Sequence, residues 1–323
     1  MRLSAVVVTW NSEATIGRCL AALRGAEANS HVDLEIVVVD NASRDTSRLC
    51  ASAADLLIAN RINTGFAIAS NQGFAVTTGE WVLFANPDLE VAGGFLSALE
   101  IAARAADDSV AVLVPELRFS SDPDVVNSRG LTVDVLGIPA ELDAGEDAGS
   151  TPTADQPFGA SGGAACIRAS ALAEIGGFEP CFFAYLEDVE LAWRLRRAGY
   201  STLSVPRAVA YHRGSSTTGE ASALKAYLVG RNRRLLFALH GPSGVFRRGL
   251  RDLTDLGHML VQIAMIRRLA PAAGRFAAFR FRRYLRWRRQ VAAVPIETIP
   301  LAPRASIRRT LARKLRTRRL FAA

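Results

Sequence analysis

Two acidic segments, far apart in the chain, have the residue types that a metal-assisted transfer reaction needs. Asp88 follows the apolar run Trp81–Ala85, which places its carboxylate just past the end of a buried strand. Glu187 and Asp188 open an amphipathic stretch that continues to Arg197, so they are predicted at the start of a helix. One of these carboxylate sites can hold a cation, and the other can remove a proton from an attacking hydroxyl group.

Two further blocks occur nearer the N-terminus. They are Val6–Ser12 and Val37–Ser43, each of which is an apolar run followed by polar residues. With the Asn86-Pro87-Asp88 and Glu187-Asp188 segments, their order resembles the family 2 glycosyltransferases of the GT-A fold. The nearest resemblance is to the bacterial rhamnosyltransferase-like members. It extends from about Leu3 to His240 and therefore covers most of the chain.

The resemblance implies a metal site at Asp88. Many relatives have Asp-x-Asp where this chain has Asn86-Pro87-Asp88, and the last Asp binds Mg²⁺ or Mn²⁺ on a nucleotide-sugar diphosphate. Asn86 has no charge, which implies a weaker hold on the cation. Relatives also carry a histidine at His212 that completes the metal or diphosphate site. The alternatives are an ordinary Asn-Pro-Asp turn for the first segment and a structural hydrogen bonder for His212.

The resemblance also implies the catalytic base. Asp188 takes the proton from an acceptor hydroxyl while that oxygen attacks the anomeric carbon, so the configuration inverts, and Glu187 orients the acceptor. The alternative is that both acids only complement the macrodipole of the helix that they begin. The aromatic residues just before them can line a sugar site or fill core; they are Phe182, Phe183 and Tyr185.

Donor binding is the third implication of the resemblance. Asp40 stands where relatives contact a uracil or thymine base, although an N-cap or turn role is the alternative. Gly65 permits a tight turn before a helix whose N-terminus can face phosphate or sugar. Arg231 and Asn232 lie on a later helix that faces either a phosphate or solvent. The full donor-binding prediction comprises Thr9, Asn11, Asp40, Ser43, Asn63, Gly65, Asn71, Asn86 and Asp88.

Alternating strand-like and helix-like stretches predict an α/β fold with a mostly parallel central sheet flanked by helices. In such sheets ligands bind beyond the carboxyl ends of the strands, where both Asp40 and Asp88 are predicted. Residues 120–157 are rich in Asp, Gly, Pro and Thr and only weakly periodic. We therefore expect a long surface excursion or flexible loop there that covers the site.

Local signals predict several boundaries within this fold. Ser12 is expected to cap the first helix. The segment Ser43–Ala53 is expected to form a short helix, and Trp193 to lie in the core. Thr202–Val205 and Val209–His212 are expected to be the last two strands.

The composition fits one large domain with an appendage. Of the 323 residues 50% are hydrophobic and 22% are charged, which excludes a disordered chain. We predict a transferase domain over residues 1–240 and a basic helical appendage over residues 241–323. From His240 to Ala323 there are 20 Lys/Arg against 3 Asp/Glu, whereas the preceding residues have 19 against 28. The four cysteines are widely spaced and form no metal knuckle or disulfide framework.

The basic appendage needs an explanation of its own. Between Arg247 and Arg289 basic clusters alternate with apolar residues, which is typical of helices that lie on an anionic membrane surface. The alternative is a basic helix pair that packs on the domain. A polybasic stretch follows at Arg308–Arg319. With no signal peptide and no apolar run of spanning length, we expect a cytoplasmic protein, peripheral on the inner face of the cell membrane.

The predicted function is that of an inverting glycosyltransferase dependent on Mg²⁺ or Mn²⁺. It moves a sugar from a nucleotide-sugar donor to a lipid-linked or cell-envelope polysaccharide acceptor, with L-rhamnose from dTDP-rhamnose as the first expectation. The alternatives are a UDP-sugar donor, such as UDP-galactofuranose, and a catalytically inactive GT-A scaffold at the membrane. A nucleic-acid binder is the competing class that an Arg-rich tail suggests. The acidic body and the lack of a visible nucleic-acid-binding module disfavour it, so no nucleic-acid partner is expected.

Overall fold

A nine-stranded mixed β-sheet forms the centre of the protein and has helices on both faces. The computed structural model describes residues 1–213, 222–241, 244–281, 283–284, 301–302 and 317. Within these residues the strands, β1 to β11 in chain order, are Arg2–Thr9, Asp33–Asp40, Leu56–Ala59, Trp81–Ala85, Leu89–Val91, Val110–Phe119, Asp122–Ser128, Leu131–Val133, Pro139–Glu141, Ala164–Arg168 and Ser201–His212. The helices, α1 to α9, are Ile16–Glu27, Ser47–Cys50, Phe66–Phe74, Phe95–Ala105, Ala169–Ile175, Glu187–Arg197, Ala223–His240, Val245–Ile266 and Ala270–Ala277.

The strand order is β3-β2-β1-β4-β10-β6-β11-β5, with β7 paired to β6. The first four strands of this order are parallel, as predicted. In contrast, β10 lies antiparallel between β4 and β6, and β5 and β7 are antiparallel to their neighbours. The sheet is therefore mixed rather than mostly parallel. An apolar run such as Ala164–Arg168 has the same composition in either direction, so its orientation could not be predicted from periodicity.

Two apolar layers enclose the sheet. Because side chains alternate across a strand, one set of β1 residues packs under α1 and α4 and the other packs under α3. The helices α5 and α6 join α3 on that second face. The N-terminus of α6, which bears Glu187 and Asp188, is thereby brought to the carboxyl edge of the sheet. Trp193 of α6 is buried, as predicted.

The segment predicted as a flexible excursion, residues 120–157, is ordered in the structure. It contains β7, β8 and β9, and Val126 and Val133 within it are buried. Arg129 is also buried and forms an ion pair of 2.8 Å with Glu116, with only 3% of either side chain exposed. The prediction was wrong because strands this short, stabilised partly by buried charges, leave little hydrophobic periodicity to detect.

Three predicted boundaries also need correction. Helix α1 has Thr15 rather than Ser12 as its N-cap, and the Ser12 carbonyl accepts hydrogen bonds from Thr15 and Ile16 instead. The helix expected over Ser43–Ala53 is reduced to the single turn of α2. The two late strands are one strand, β11, with an irregularity between Val205 and Val209.

Helices α7, α8 and α9 follow the sheet. A Cβ atom on Gly274 of α9 would lie 2.0 Å from the Tyr227 carbonyl oxygen of α7, so these two helices pack backbone to backbone. Among the residues that the structure describes, no helix is long and apolar enough to cross a membrane. The predicted polybasic stretch Arg308–Arg319 lies outside the described residues, apart from Thr317.

Candidate active site

Asp88 and His212 come together at the edge of the sheet. Asp88 lies in the turn between β4 and β5, and His212 is the last residue of β11. The Asp88 Oδ1 atom is 3.4 Å from His212 Nε2, and both side chains are largely buried. The Asn86 side-chain amide nitrogen lies 3.2 Å from the same His212 Nε2 atom. The structure therefore brings together the three residues predicted from the Asn-Pro-Asp and late-strand motifs.

Asn127 holds the other side of the His212 ring, and it was missed by the sequence analysis. The His212 Nδ1 atom lies 3.1 Å from Asn127 Oδ1, a distance at which Nδ1–H donates to the amide oxygen. That tautomer leaves Nε2 directed at Asp88. Burial is the largest single influence on the pKa of His212 and lowers it, but the charge of Asp88, a hydrogen bond to Asp88 and the charge of Glu141 together raise this pKa.

Asp188 is fixed by backbone donors at the N-terminus of α6. Its Oδ2 atom accepts a hydrogen bond of 2.8 Å from the Gly162 N–H, and Oδ1 accepts one of 2.8 Å from the Val189 N–H. Burial raises the pKa of Asp188 even so. Glu187 is more deeply buried, and its Oε2 atom has no hydrogen-bond partner. Burial, followed by the charge of Asp188, raises the pKa of Glu187 to about 8.

A pair of glycines separates Asp188 from the Asp88–His212 pair. A Cβ atom on Gly162 would lie 3.2 Å from Asp188 Oδ2, and one on Gly163 would lie 3.3 Å from His212 Cε1. The Gly163 carbonyl also accepts a hydrogen bond from the Asn86 N–H. Only glycine lets the backbone approach both side chains so closely. The Gly162-Gly163 turn before β10 therefore lies between Asp188 and the Asp88–His212 pair.

Glu141 is a fourth carboxylate of this site, and it too was missed. It lies on β9, within the segment expected to be a flexible loop. Its Oε2 atom accepts a hydrogen bond of 2.5 Å from Ser128, and Oε1 accepts one of 3.2 Å from Ser161. Burial, and then the charge of Asp188, raises the pKa of Glu141 to about 7, while the charge of His212 lowers it. Glu141 therefore interacts electrostatically with both Asp188 and His212.

The loop before α6 has an unusual backbone that α7 holds in place. Phe183, Tyr185 and Leu186 have φ values of 64°, 70° and 65°, which are strained for residues with side chains. The Asn232 amide nitrogen lies 2.6–2.8 Å from the carbonyl oxygens of residues 182, 184 and 185. The Arg231 guanidinium binds the carbonyls of residues 181 and 182. Both side chains therefore hydrogen-bond this loop. The sequence analysis expected their helix to face a phosphate or solvent and did not predict these contacts.

The ends of β1 and β2 form the neighbouring part of the site. Thr9 pairs in register with Asp40, and the Thr9 hydroxyl is buried without a hydrogen-bond partner. Asp40 accepts a hydrogen bond of 3.3 Å from the Ser43 N–H, the turn contact that was its alternative role. The Ser43 hydroxyl in turn accepts one of 2.9 Å from the Asn11 N–H. These four predicted donor-binding residues therefore lie together.

The remaining donor-binding predictions concern the loop that leads into α3. Asn63 Oδ1 accepts a hydrogen bond of 2.9 Å from the Gly65 N–H, and Gly65 has a φ of 84°. A Cβ atom on Gly65 would lie 2.5 Å from the Phe183 ring, so this loop packs against the strained segment before α6. Asn71 makes two hydrogen bonds of 2.8 Å to the backbone of Phe178. Those contacts are structural, and donor binding by Asn71 stays a prediction.

The sequence matches the family model described as "Glycosyl transferase family 2" over residues 4–176, more than half of the chain. The chain belongs to glycosyl transferase family 2. A second model, "Glycosyl transferase family group 2", matches residues 150–288. Membership in this family makes the protein a glycosyltransferase, in agreement with the sequence analysis.

Two curated relatives come from Mycobacterium tuberculosis. An N-acetylglucosaminyl-diphospho-decaprenol L-rhamnosyltransferase is 27% identical, with 82% of this chain and 94% of the relative covered. A pre-mycofactocin glycosyltransferase is 25% identical, with 71% of this chain and 46% of that protein covered.

Solved structures show the same fold at lower identity. A mannosyltransferase from Pyrobaculum calidifontis, in complex with GDP-Man and Mn²⁺, has a TM-score of 0.52 at 17% identity, with 92% of this chain and 77% of that chain covered. GalNAc-T7 with UDP, GalNAc and Mn²⁺ has a TM-score of 0.52 at 16% identity, with 73% of this chain and 50% of that chain covered. This family 2 glycosyltransferase therefore has the GT-A fold, as predicted.

Proposed function

We propose that this protein is an inverting, metal-dependent glycosyltransferase that transfers L-rhamnose from dTDP-rhamnose to a lipid-linked or cell-envelope polysaccharide acceptor. One observation carries the proposal. The Asp88–His212 pair and the Asp188 carboxylate lie on either side of the Gly162-Gly163 backbone. A transferred sugar must sit between its leaving diphosphate and the attacking hydroxyl, and this geometry offers one chemical group for each.

The residues on the diphosphate side fit Mg²⁺ or Mn²⁺. A carboxylate oxygen and an imidazole nitrogen are suitable ligands, and Asn127 hydrogen-bonds the opposite ring nitrogen, which fixes the orientation of the imidazole as in known metal sites. Within the described residues no group of three or more His, Cys, Asp or Glu could hold a metal by itself. Two protein ligands suffice where the donor's phosphates supply others. The cation supplies charge neutralisation for the leaving diphosphate.

The residues on the acceptor side fit a general base and its neighbour. Asp188, held by two backbone donors, takes the proton of the acceptor hydroxyl as that oxygen attacks the anomeric carbon. In this proposal Asp188 and the diphosphate lie on opposite sides of the sugar, so the configuration inverts. The pKa of Glu187, raised to about 8, keeps its carboxyl protonated at neutral pH, where it donates to and orients the acceptor.

Glu141 lies beside the path between these two groups. Both of its oxygens already accept from serine hydroxyls, and a carboxylate oxygen can accept a second hydrogen bond. In this proposal a Glu141 oxygen accepts a further hydrogen bond, from a hydroxyl of the transferred sugar. In its ionised form Glu141 also favours the positive character of a transition state that resembles an oxocarbenium ion.

The choice of rhamnose rests on the relative whose printed name is an N-acetylglucosaminyl-diphospho-decaprenol L-rhamnosyltransferase and which is covered over 94% of its length. The alternative is a UDP-sugar donor such as UDP-galactofuranose. The Mn²⁺ named for two GT-A neighbours supports a divalent metal in this protein too. An inactive membrane scaffold is disfavoured by the assembled Asp88, His212 and Asp188 side chains.

The location of the reaction is part of the same proposal. Residues 1–240 form the transferase domain, and residues 241–323 form an appendage on the cytoplasmic face of the membrane. The name of the relative includes a prenyl-diphosphate-linked acceptor, and an acceptor of that kind would lie in a membrane.

A donor panel tests the function. Purified protein with Mg²⁺ or Mn²⁺ is incubated with a polyprenyl-diphosphate GlcNAc acceptor and, separately, with dTDP-rhamnose, UDP-galactofuranose, UDP-glucose, UDP-GlcNAc or GDP-mannose. We expect metal-dependent transfer from dTDP-rhamnose that is lost in Asp188→Asn. Transfer only from another donor would contradict the choice of sugar. The absence of both transfer and nucleotide binding would leave the scaffold as the better account.

A further inference from the structure

Helix α8 turns its polar side toward the protein and its apolar side outward. Its buried residues are Arg251 and Asp255. In contrast, the exposed fractions of Phe246, Leu253 and Leu260 are 83%, 65% and 56%. These three residues are seven apart and share one stripe, and Arg251 and Asp255 occupy the opposite side of the helix. This is the reverse of a helix that packs on a soluble core.

Ion pairs hold α8 in this orientation. Asp255 binds Arg233 of α7 at 2.9 Å and Arg275 of α9 at 2.8 Å, and its carboxylate is 3% exposed. Asp252 binds Arg234 of α7 at 3.0 Å. Rotating the helix to bury its leucines would separate the buried Asp255 carboxylate from Arg233 and Arg275, which is energetically costly. The outward direction of the apolar stripe is therefore built into the packing of α7, α8 and α9.

Exposed apolar side chains also occur after the end of α8 in the chain. Leu269, Phe276 and Phe279 are 72%, 72% and 48% exposed. Together with Phe246, Leu253, Leu256 and Leu260, they form what we call the outer apolar face. Single exposed apolar residues are common on soluble proteins, but several of them on successive helices are a mark of an interaction site.

The charges around the outer apolar face decide what it binds. Arg247 and Arg248 are exposed at the start of α8, and Arg267 and Arg268 are exposed just past its end. The acidic residues of α8, Asp252 and Asp255, both form ion pairs with arginines. An apolar stripe with a cationic border matches a bilayer surface that contains anionic lipid. It does not match a second copy, which would bring the same positive charges face to face.

We propose that the outer apolar face is a docking surface for an anionic lipid bilayer, with Phe246, Leu253 and Leu260 inserted among the acyl chains. This inference deepens the proposed function, since it names the surface that brings the site to a lipid-linked acceptor. It also specifies how the appendage is used. The polar face of α8 packs on the protein, and the apolar face of the same helix meets the lipid.

Vesicle flotation with the full-length protein tests the inference without donor or acceptor. We expect binding to vesicles of phosphatidylcholine mixed with phosphatidylglycerol, and little binding to phosphatidylcholine alone. Each of Phe246→Glu, Leu253→Glu and Leu260→Glu should lower the partition coefficient about tenfold or more, because a buried apolar side chain is lost. In the double variant with Arg247→Gln and Arg248→Gln, vesicle binding should depend less on the anionic lipid content.

Ile101→Glu is the matched control, because Ile101 is 68% exposed on α4, away from the outer apolar face. It should leave vesicle binding unchanged. Equal melting temperatures for all variants would show that they fold alike. Glutamate variants that bind vesicles as strongly as the wild type would overturn the inference. A wild-type protein that binds no vesicles but forms a dimer, which dissociates in those variants, would overturn it too. Neither result depends on sugar transfer, so failure of the proposed chemistry remains distinguishable.

Discussion

Glu187 and Asp188 are neighbours in the chain, yet their carboxylates meet different surroundings. Burial raises the pKa of Asp188 as well, but each of its oxygens accepts a hydrogen bond from a backbone N–H, which by itself favours the charged form that a base needs. Glu187 has a buried oxygen without a partner, and burial raises its pKa to about 8. This difference in solvation gives a physical reason to assign proton removal to Asp188 and orientation to Glu187.

Replacing Glu187 with Gln tests that division. A carboxyl group whose pKa is raised to about 8 is protonated below that pH and ionised above it. Glutamine resembles the protonated form, so Glu187→Gln should keep kcat/KM within about tenfold of wild type at pH 7. The wild-type rate should fall as the pH rises through about 8, and the variant should lack that fall. A pH profile of kcat/KM checks both; an identical alkaline limb in the two proteins would contradict the assignment.

Glu141 gives a second prediction for a single side chain. Glu141→Gln removes one acceptor oxygen and the negative charge beside the transferred sugar. We expect kcat/KM for the donor to fall about 10- to 100-fold, because a polar contact made to the sugar is lost. Steady-state kinetics with varied donor checks this. Glu146→Gln is the matched control, since Glu146 is exposed in the same segment, and unchanged kinetics in both variants would rule out the role of Glu141.

At the scale of the elements, the strained loop before α6 connects the donor side to the base. Its Phe183 carbonyl accepts a hydrogen bond from the Ala67 N–H of α3, and its far end leads directly into Glu187. The Asn232 side chain secures the carbonyls between these two points. The position of Asp188 therefore depends on α7 as well as on its own helix.

Asn232→Ala should accordingly impair both stability and catalysis. The carbonyl groups of residues 184 and 185 lose the Asn232 donor, while that of residue 182 keeps Arg231, which should lower the free energy of unfolding by about 1–3 kcal/mol. The value of kcat should fall more than donor affinity, because Asp188 shifts while the ends of β1 and β2 stay in place. Thermal unfolding and kinetics measure the two effects. Leu224→Ala, at a 46% exposed position of the same helix, should change neither. A stable Asn232→Ala protein with normal kcat would contradict this account.

Local sequence signals were enough to locate Asp88, Asp188 and His212, because each stands at the end of a clearly apolar or amphipathic element. Glu141 and Asn127 were missed, and Asn232 was expected to face a phosphate or solvent rather than the loop before α6. Glu141 and Asn127 lie on short strands without marked periodicity, and the partner of Asn127, His212, is 85 residues away. Asn232 looks like any polar residue of a basic helix. Only the tertiary contacts of these residues reveal what they do.

At the scale of the whole molecule, the packing of α9 on α7 connects the appendage to the transferase body. Gly274→Ala would place a Cβ atom 2.0 Å from the Tyr227 carbonyl oxygen, so the two helices would have to separate. We expect a lower melting temperature, with a loss of about 1–3 kcal/mol, as is typical of overpacking.

Gly257→Ala is the control for this prediction. Gly257 also lies in a helix of the appendage, but a Cβ atom there would meet nothing within 4 Å. This variant should gain about 0.5–1 kcal/mol, because alanine loses less backbone freedom than glycine in a helix. Differential scanning calorimetry compares the two proteins. Equal stability of the two variants would contradict tight packing between α7 and α9.

The central claim is that the groups on either side of the Gly162-Gly163 turn have separate roles. Asp88 binds the donor through a metal, and Asp188 removes the proton. The most direct test is calorimetry of donor-nucleotide binding with and without Mn²⁺, beside single-turnover transfer, for wild type, Asp88→Asn and Asp188→Asn. We predict that Asp88→Asn loses the metal-dependent part of binding. We also predict that Asp188→Asn binds normally but transfers about 10²- to 10⁴-fold more slowly. Unchanged metal-dependent binding in Asp88→Asn, or wild-type transfer by Asp188→Asn, would contradict the account.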